Sequence, residues 1–334
     1  MGVELVDIYH ALKQGTPVVV ATIISSRGST PRNAGSKMVV YGDGRTSGTI
    51  GGGAIEGDVI KRALVVFEAK RGNIVSYDLC ADAAHDDIDL ICGGHMEVML
   101  EYVDTHLENG VLYNAACQNI ENEHPFSWRA VIKEMDSGIV LERCIQDITE
   151  TNDGKRLKTT LHKSDNGRVL VETVLPTQTA YIIGAGHVSK EIAKLTKQIG
   201  MKTLVFDDRS AFASESRFPE ADGIHVCPDY VNIFEPFKIT HNSYIIIVTR
   251  GHSCDKEVLN QALKTGAGYI GMMGSRKKRN TIYDALITEG CTVKELGRVH
   301  CPIGLPIKAE TPAELAVSIA AELINHRASY TVYG

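Results

Sequence analysis

A chain of 334 residues, 43% hydrophobic and 23% charged, has room for two domains and the composition of a soluble globular protein. Its net charge of −6 excludes a chain-wide nucleic-acid surface, and no apolar run approaches the roughly 20 residues that span a bilayer. Acidic Glu4 and Asp7 stand where a signal peptide carries bases, and the eight cysteines show no Cys-x-x-Cys pair, so a cytoplasmic chain with free thiols and no structural metal site is expected.

In chain order, residues 3–13 read as a short amphipathic helix and 17–25 as a β-rich strand. Directly after that strand, Arg27–Gly28–Ser29–Thr30–Pro31–Arg32 combines two guanidiniums, two hydroxyls and a turn. Arg27, Ser29 and Arg32 are candidate anion contacts, and an ordinary Gly/Pro turn is the alternative. Residues 36–40 and 45–50 flank Gly42–Asp43–Gly44 as strand, turn and strand. Gly51–Gly52–Gly53 then leads into a helix over 54–70, with Ile55, Val59, Ala63 and Val66 on one side. Three glycines before a helix N-terminus suit close approach of a ligand. Glu56 is either a catalytic carboxylate or a simple complement to the helix dipole. A strand over 74–79 and a loop rich in Asp, His and Gly precede extended structure over 95–103. In that loop Cys92–Gly93–Gly94 presents a thiol whose pKa His85 or His95 could lower, an inert cysteine at a glycine bulge being the alternative. These elements make an N-terminal α+β domain over 1–104.

Residues 105–176 read as a strand-rich extension and linker. Strands over 129–135 and 139–144 flank the turn Asp136–Ser137–Gly138, 149–167 is a polar excursion, and 168–174 is a returning strand. From 177 to 334 strands alternate with helices, as a parallel sheet requires, so the α/β chain ends in a Rossmann-like domain. The apolar run 180–183 breaks into Gly184–Ala185–Gly186–His187, a helix-forming segment follows over 190–200, and Asp207–Asp208 stands about 20 residues beyond the glycines. Gly184, Gly186 and His187 are therefore expected at a phosphate, and Asp207 at a ribose with free hydroxyls rather than a 2′-phosphate. Ser189 replaces the third glycine of the fingerprint. After a buried-type strand over 243–248, Thr249–Arg250–Gly251–His252 lies where open α/β sheets bind ligands, with Arg250 a contact and His252 a proton relay oriented by Asp255. Finally Ser275–Arg276–Lys277–Lys278–Arg279 sets four cations against a helix dipole, an arrangement that an anion held by Ser275 and Arg276 would reverse in sign.

Several of these segments together resemble the XdhC/CoxI family of accessory proteins for xanthine dehydrogenase and related molybdenum hydroxylases. They are Gly28–Ser29–Thr30–Pro31–Arg32, Gly51–Gly52–Gly53–Ala54–Ile55–Glu56, Cys92–Gly93–Gly94 and Ile183–Gly184–Ala185–Gly186–His187–Val188. Asp207–Asp208–Arg209, Arg217–Phe218–Pro219, Thr249–Arg250–Gly251–His252, Gly274–Ser275–Arg276 and Pro302–Ile303–Gly304–Leu305 continue the likeness, while 104–175 adds little. The resemblance implies a two-domain chaperone that binds molybdenum cofactor, a pyranopterin. It implies help in sulfuration with a cysteine desulfurase as partner, and delivery to an apo-hydroxylase. Cys92 is then a soft contact to the metal–sulfur end or a transient sulfur carrier. A homo-oligomer is a fold-level expectation. The competing readings are an NAD-dependent oxidoreductase, with His252 as its proton relay, and a nucleotide-binding scaffold that does no chemistry.

Overall fold

The computed structural model describes residues 2–79, 93–148 and 159–329, and the chain divides into two units that part between Pro176 and Thr177. In the first unit α1 (Gly2–Lys13) leads into β1 (Val18–Gly28), β2 (Lys37–Tyr41), β3 (Thr46–Gly48), α2 (Gly53–Ala69), β4 (Asn73–Asp78) and β5 (Gly94–Val103). The strands form an antiparallel sheet in the order β3-β2-β1-β5-β4. β1 is apolar at successive positions because both faces of this sheet are covered. Val19, Ala21 and Ile23 pack with Ile55, Val59 and Ala63 of α2, whereas Val18 and Val20 pack with Leu5 and Ile8 of α1.

The chain continues as α3 (Leu107–Glu121), β6 (Phe126–Met135), β7 (Gly138–Asp147), β8 (Thr160–Ser164) and β9 (Gly167–Val174). These four strands make a second antiparallel sheet, β7-β6-β9-β8. β6 alternates strictly, with Phe126, Trp128, Ala130 and Ile132 buried, and the last two pack on Ile24 and Met99 of the first sheet. A buried ion pair crosses between the sheets, Lys37 Nζ lying 2.6 Å from Glu172 Oε1 and 3.3 Å from Thr22 Oγ1. Two elements differ from expectation. α3 escapes a periodicity test because Leu107 and Val111 are exposed while Tyr113, Ala116 and Cys117 are buried, so its apolar residues do not fall in one stripe. β8 lies inside the stretch expected to be an excursion. Its side chains are half-buried or exposed, and it is a strand through backbone pairing with β9 from Thr160 to Ser164.

In the second unit β10 (Thr179–Ile183), α4 (His187–Gln198), β11 (Lys202–Asp207), β12 (Gly223–Val226), β13 (Ser243–Ile247), α5 (His252–Leu263), β14 (Tyr269–Met272), α6 (Arg276–Thr288), α7 (Val293–Leu296), β15 (Val299–His300) and α8 (Pro312–Ser329) follow in turn. All strand pairs are parallel and the order is β12-β11-β10-β13-β14-β15. Tyr181 and Ile183 pack with Val258 and Leu259 of α5 on one face. Ala180 and Ile182 pack with Ile192 of α4 and Ile319 of α8 on the other. Helices on both faces explain why β10 and β13 are buried throughout. The strand order reverses between β10 and β13, which opens a crevice at their C-terminal ends. The expected α/β architecture, with a Rossmann-like second unit, is what the chain adopts. Among the described residues no helix is long and apolar enough to cross a membrane.

Candidate functional site

Three motif-bearing segments meet at one end of the five-stranded sheet, and glycines permit the meeting. β1 and β5 end side by side, Gly28 opposite Gly94 and Arg27 opposite His95. A Cβ on Gly28 would lie 3.0 Å from the Gly93 carbonyl oxygen, and one on Gly94 would lie 2.7 Å from that of Arg27. A Cβ on Gly51 would come to 2.5 Å from Pro31 Cβ. The Arg27–Arg32 loop is thus pressed against Gly93–Gly94 and against the triple-glycine turn. Arg27, Ser29 and Arg32 are exposed, and among the described residues neither arginine side chain has a hydrogen bond or ion pair. Cys92, Cys80 and His85 lie outside the described residues. The residues on either side are tied together, Leu79 N donating to Gly94 O at 2.7 Å and Gly93 N to Leu79 O at 2.9 Å.

Glu56 is committed to the turn that precedes it. Its Oε1 accepts from Thr49 Oγ1 at 2.5 Å and from the amides of Ile50, Gly51 and Gly52 at 2.9, 3.2 and 2.9 Å. Partial burial works to raise its pKa, but these hydrogen bonds outweigh burial and hold it below the ordinary value. The Gly51 and Gly52 amides, expected to receive a ligand, therefore point at a carboxylate supplied by the helix itself. Glu56 is a positioning residue in this arrangement, and Gly52 and Gly53 both keep open space where a Cβ would stand.

In the second unit the glycine turn sits at the β10/β13 crevice. Gly184 has φ 110°, and a Cβ there would overlap the Val248 carbonyl and lie 2.9 Å from Thr249 Cα. That close approach brings the turn against Thr249–Arg250. Gly186 and Gly251 are the N-caps of α4 and α5, neither has a side-chain cap, and both have open space where a Cβ would stand. The first amides of two helices are thereby left for a ligand. His187 is exposed at the start of α4, and Ser189 is 1% exposed at the position of the third glycine, small enough for the packing there. His252 opens α5, and its side chain lies outside the described residues.

Asp207 departs most from expectation. It is 1% exposed, and its Oδ2 accepts from Ala185 N at 2.7 Å and Arg209 Nη2 at 3.0 Å. Its Oδ1 accepts from Arg209 N at 3.0 Å and Arg209 Nε at 2.8 Å. A carboxylate offers about four lone-pair sites, so the protein itself saturates this one. Burial works to raise the Asp207 pKa, but Arg209 and the Ala185 amide outweigh it and hold the group below the usual carboxylate range. Asp207 clasps the turn where a ribose contact was expected. Arg209 and Arg217, which the sequence offers only within segments of the family likeness, stand beside this turn. Their Cζ atoms lie 3.6 and 4.8 Å from the centroid of Phe212, and Arg217 Nη2 donates to Ala185 O at 3.3 Å. The signal available was an arginine two residues beyond the acid.

The basic run is also less free than its sequence implies. Asp255 is 0% exposed and takes a hydrogen bond from Thr249 Oγ1 at 2.7 Å and an ion pair from Lys278; its expected partnership with His252 falls on a side chain outside the described residues. Arg279 donates to Cys301 O at 3.3 Å, which leaves Arg276 and Lys277 as the exposed cations of that run. Ser275 caps α6, its Oγ accepting from Lys278 N at 3.2 Å. Arg250 pairs with Asp208 at 2.8 Å beside the turn.

Residues 180–323 match the family model of the XdhC Rossmann domain, and residues 11–78 that of the XdhC and CoxI family. The chain is 24% identical over 312 residues to the uncharacterized protein YqeB of Escherichia coli (strain K12), covering 93% of this chain and 44% of YqeB. It is 25% identical over 332 residues to a Bacillus subtilis (strain 168) protein named as a probable xanthine dehydrogenase subunit, covering 95% of each. It is 24% identical over 318 residues to the molybdenum cofactor insertion chaperone PaoD of Escherichia coli (strain K12), covering 95% of this chain and 86% of PaoD. A solved structure described as a xanthine dehydrogenase from Bacillus halodurans matches with a TM-score of 0.79 at 25% identity, over 97% of this chain and 96% of that one. One family model falls in each unit, and the chain belongs to the XdhC and CoxI family.

Proposed function

We propose that the chain is an accessory protein that binds molybdenum cofactor and delivers it to a molybdenum hydroxylase of the xanthine dehydrogenase type. The observation that carries this reading is the convergence of the Arg27–Arg32 loop, the Gly51–Gly53 turn and Gly93–Gly94 at one end of one sheet. Two guanidiniums without partners among the described residues suit the phosphate of a pterin. The relative named as a molybdenum cofactor insertion chaperone supports the same cargo. Cys92 immediately precedes Gly93 in the sequence, and in this proposal it relays sulfur from a cysteine desulfurase. Its thiolate attacks the desulfurase persulfide, forming the S–S bond of a Cys92 persulfide and releasing the desulfurase thiolate. In the second unit the Gly184–Gly186 turn and the start of α5 hold a phosphate-containing ligand at the crevice, a nicotinamide dinucleotide being the candidate. The protein works as a homo-oligomer in the cytoplasm.

Incubation of the purified chain with released molybdenum cofactor, followed by mass spectrometry of what is retained, tests the reading. Retention is expected, with loss on replacing both Arg27 and Arg32 by Ala. Cys92→Ala should retain cofactor yet fail to activate apo-hydroxylase when desulfurase and cysteine are supplied. Absence of retained cofactor at concentrations that load a hydroxylase would sink the chaperone reading, and activation by Cys92→Ala at the wild-type level would remove the thiol from it.

A further inference from the structure

We infer that the second unit prefers a nucleotide whose ribose carries a phosphate, received by Arg209 and Arg217, over one whose ribose is free. This rests on the reading that the Gly184–Gly186 turn holds a phosphate-containing ligand. In such sheets the end of the second strand of the dinucleotide unit is where the ribose lies, and a carboxylate there takes its hydroxyls. Here that carboxylate has nothing left to give, since Ala185 and Arg209 fill both oxygens of Asp207. Cations surround it instead. Arg209 spends its Nε and one Nη2 hydrogen on Asp207 and is 27% exposed, which leaves further N–H groups of its fork for an acceptor.

Arg217 supplies the second cation. Among the described residues it has no carboxylate within ion-pair distance, and its Nε is buried without an acceptor. Its position is set by the hydrogen bond to Ala185 O and by the Phe212 ring, which Arg209 also contacts. Both guanidinium groups lie against one ring, Phe212, beside the turn. Ala185 N, Asp207, Arg209, Phe212, Arg217 and Ala185 O thus close a ring that holds both guanidiniums against the glycine turn. Nearby, Asp208 is matched by Arg250 at 2.8 Å. Two carboxylates therefore face three guanidiniums, and the unmatched charge is positive. Arginine forks receive phosphate with paired hydrogen bonds and stack on rings, and an arginine beside the strand-end acid is how this fold accommodates a 2′-phosphate.

Titration calorimetry of the full chain with NAD and with NADP, at one fixed salt concentration, decides. NADP should bind about tenfold or more tightly, as one or two charge-assisted hydrogen bonds allow. Arg217→Ala should lower NADP affinity about ten- to hundredfold while leaving NAD affinity within about twofold. Arg217→Lys, which keeps the charge and loses the fork, should fall between, and it carries the test if the alanine variant unfolds in a thermal melt. NAD binding as tightly as NADP, or equal loss of both in folded Arg217 variants, would overturn the inference while the phosphate reading of the turn stands. Binding of neither nucleotide would overturn both.

Discussion

Gly184 and Gly186 are two residues apart in one turn, yet their substitution is expected to fail in opposite ways. At Gly186 the backbone has φ −75°, which any residue adopts, and an added Cβ meets nothing within 4 Å. Gly186→Val should therefore fold, at a cost of about 0.5–1 kcal/mol for a poor N-cap residue. For a unit of this size that is a melting shift of about 2–4 °C. The new isopropyl group stands beside the first amides of α4, where a phosphate must approach. Losing two charge-assisted hydrogen bonds of about 1.5–3 kcal/mol each weakens ligand binding by about a hundredfold or more. At Gly184, φ is 110° and a Cβ would overlap the Val248 carbonyl, a backbone neighbour with no flexible end to give way. Gly184→Ala should cost about 2–4 kcal/mol whether or not ligand is present. Urea unfolding measures the first quantity, and titration of the folded variants with a nucleotide measures the second. A folded Gly186→Val that binds like wild type would move the phosphates away from this turn, and a Gly184→Ala as stable as wild type would refute the close-approach argument.

Two charged groups make further tests. Glu56 has its pKa held below 4.5 in the fold, so the folded chain takes up that proton at lower pH than the unfolded chain does. The resulting stabilisation is complete above about 4.5 and is lost as the pH falls through the depressed value. Glu56→Gln should accordingly cost about 1–2 kcal/mol at pH 7, with the gap to wild type closing as the pH falls through the depressed value. A gap of undiminished size at acid pH would mean that the carboxylate charge is not its source. Lys278→Met strips the ammonium from a carboxylate that is 0% exposed and should cost about 3–5 kcal/mol, with part of the loss recovered in the double variant carrying Asp255→Asn. Equal stability of the single and double variants would show that the pair is not coupled.

The extent to which fold and site were legible follows from how far each determinant lies along the chain. β1, β10 and β13 could be read because burial on both faces leaves uninterrupted apolar runs, a property of the strand alone. α3 could not, since its exposed Leu107 and Val111 break the helical stripe, and β8 could not, since only its pairing with β9 makes it a strand. At the sites the glycines stood out because a turn is local. What fills the turns did not. The amides of Gly51 and Gly52 look free in the sequence, but the carboxylate that occupies them sits four and five residues further on.

Counting charges in a motif overstates what is free for a ligand, because the fold pairs some of them out of sight. Lys278 belongs to Asp255, 23 residues earlier on another helix, and Arg209 belongs to Asp207. After such pairs are removed, Arg27 and Arg32 remain in the first unit, and Arg217, Arg276 and Lys277 in the second. None of these five has a carboxylate within ion-pair distance among the described residues. Each set lies beside a glycine turn or a helix N-terminus, where backbone amides add to the same sign of potential. A net charge of −6 over the whole chain is no obstacle to anion binding there, because screening confines distant carboxylates to about 10 Å of influence. The ligand responds to the local imbalance, and in both units that imbalance is positive.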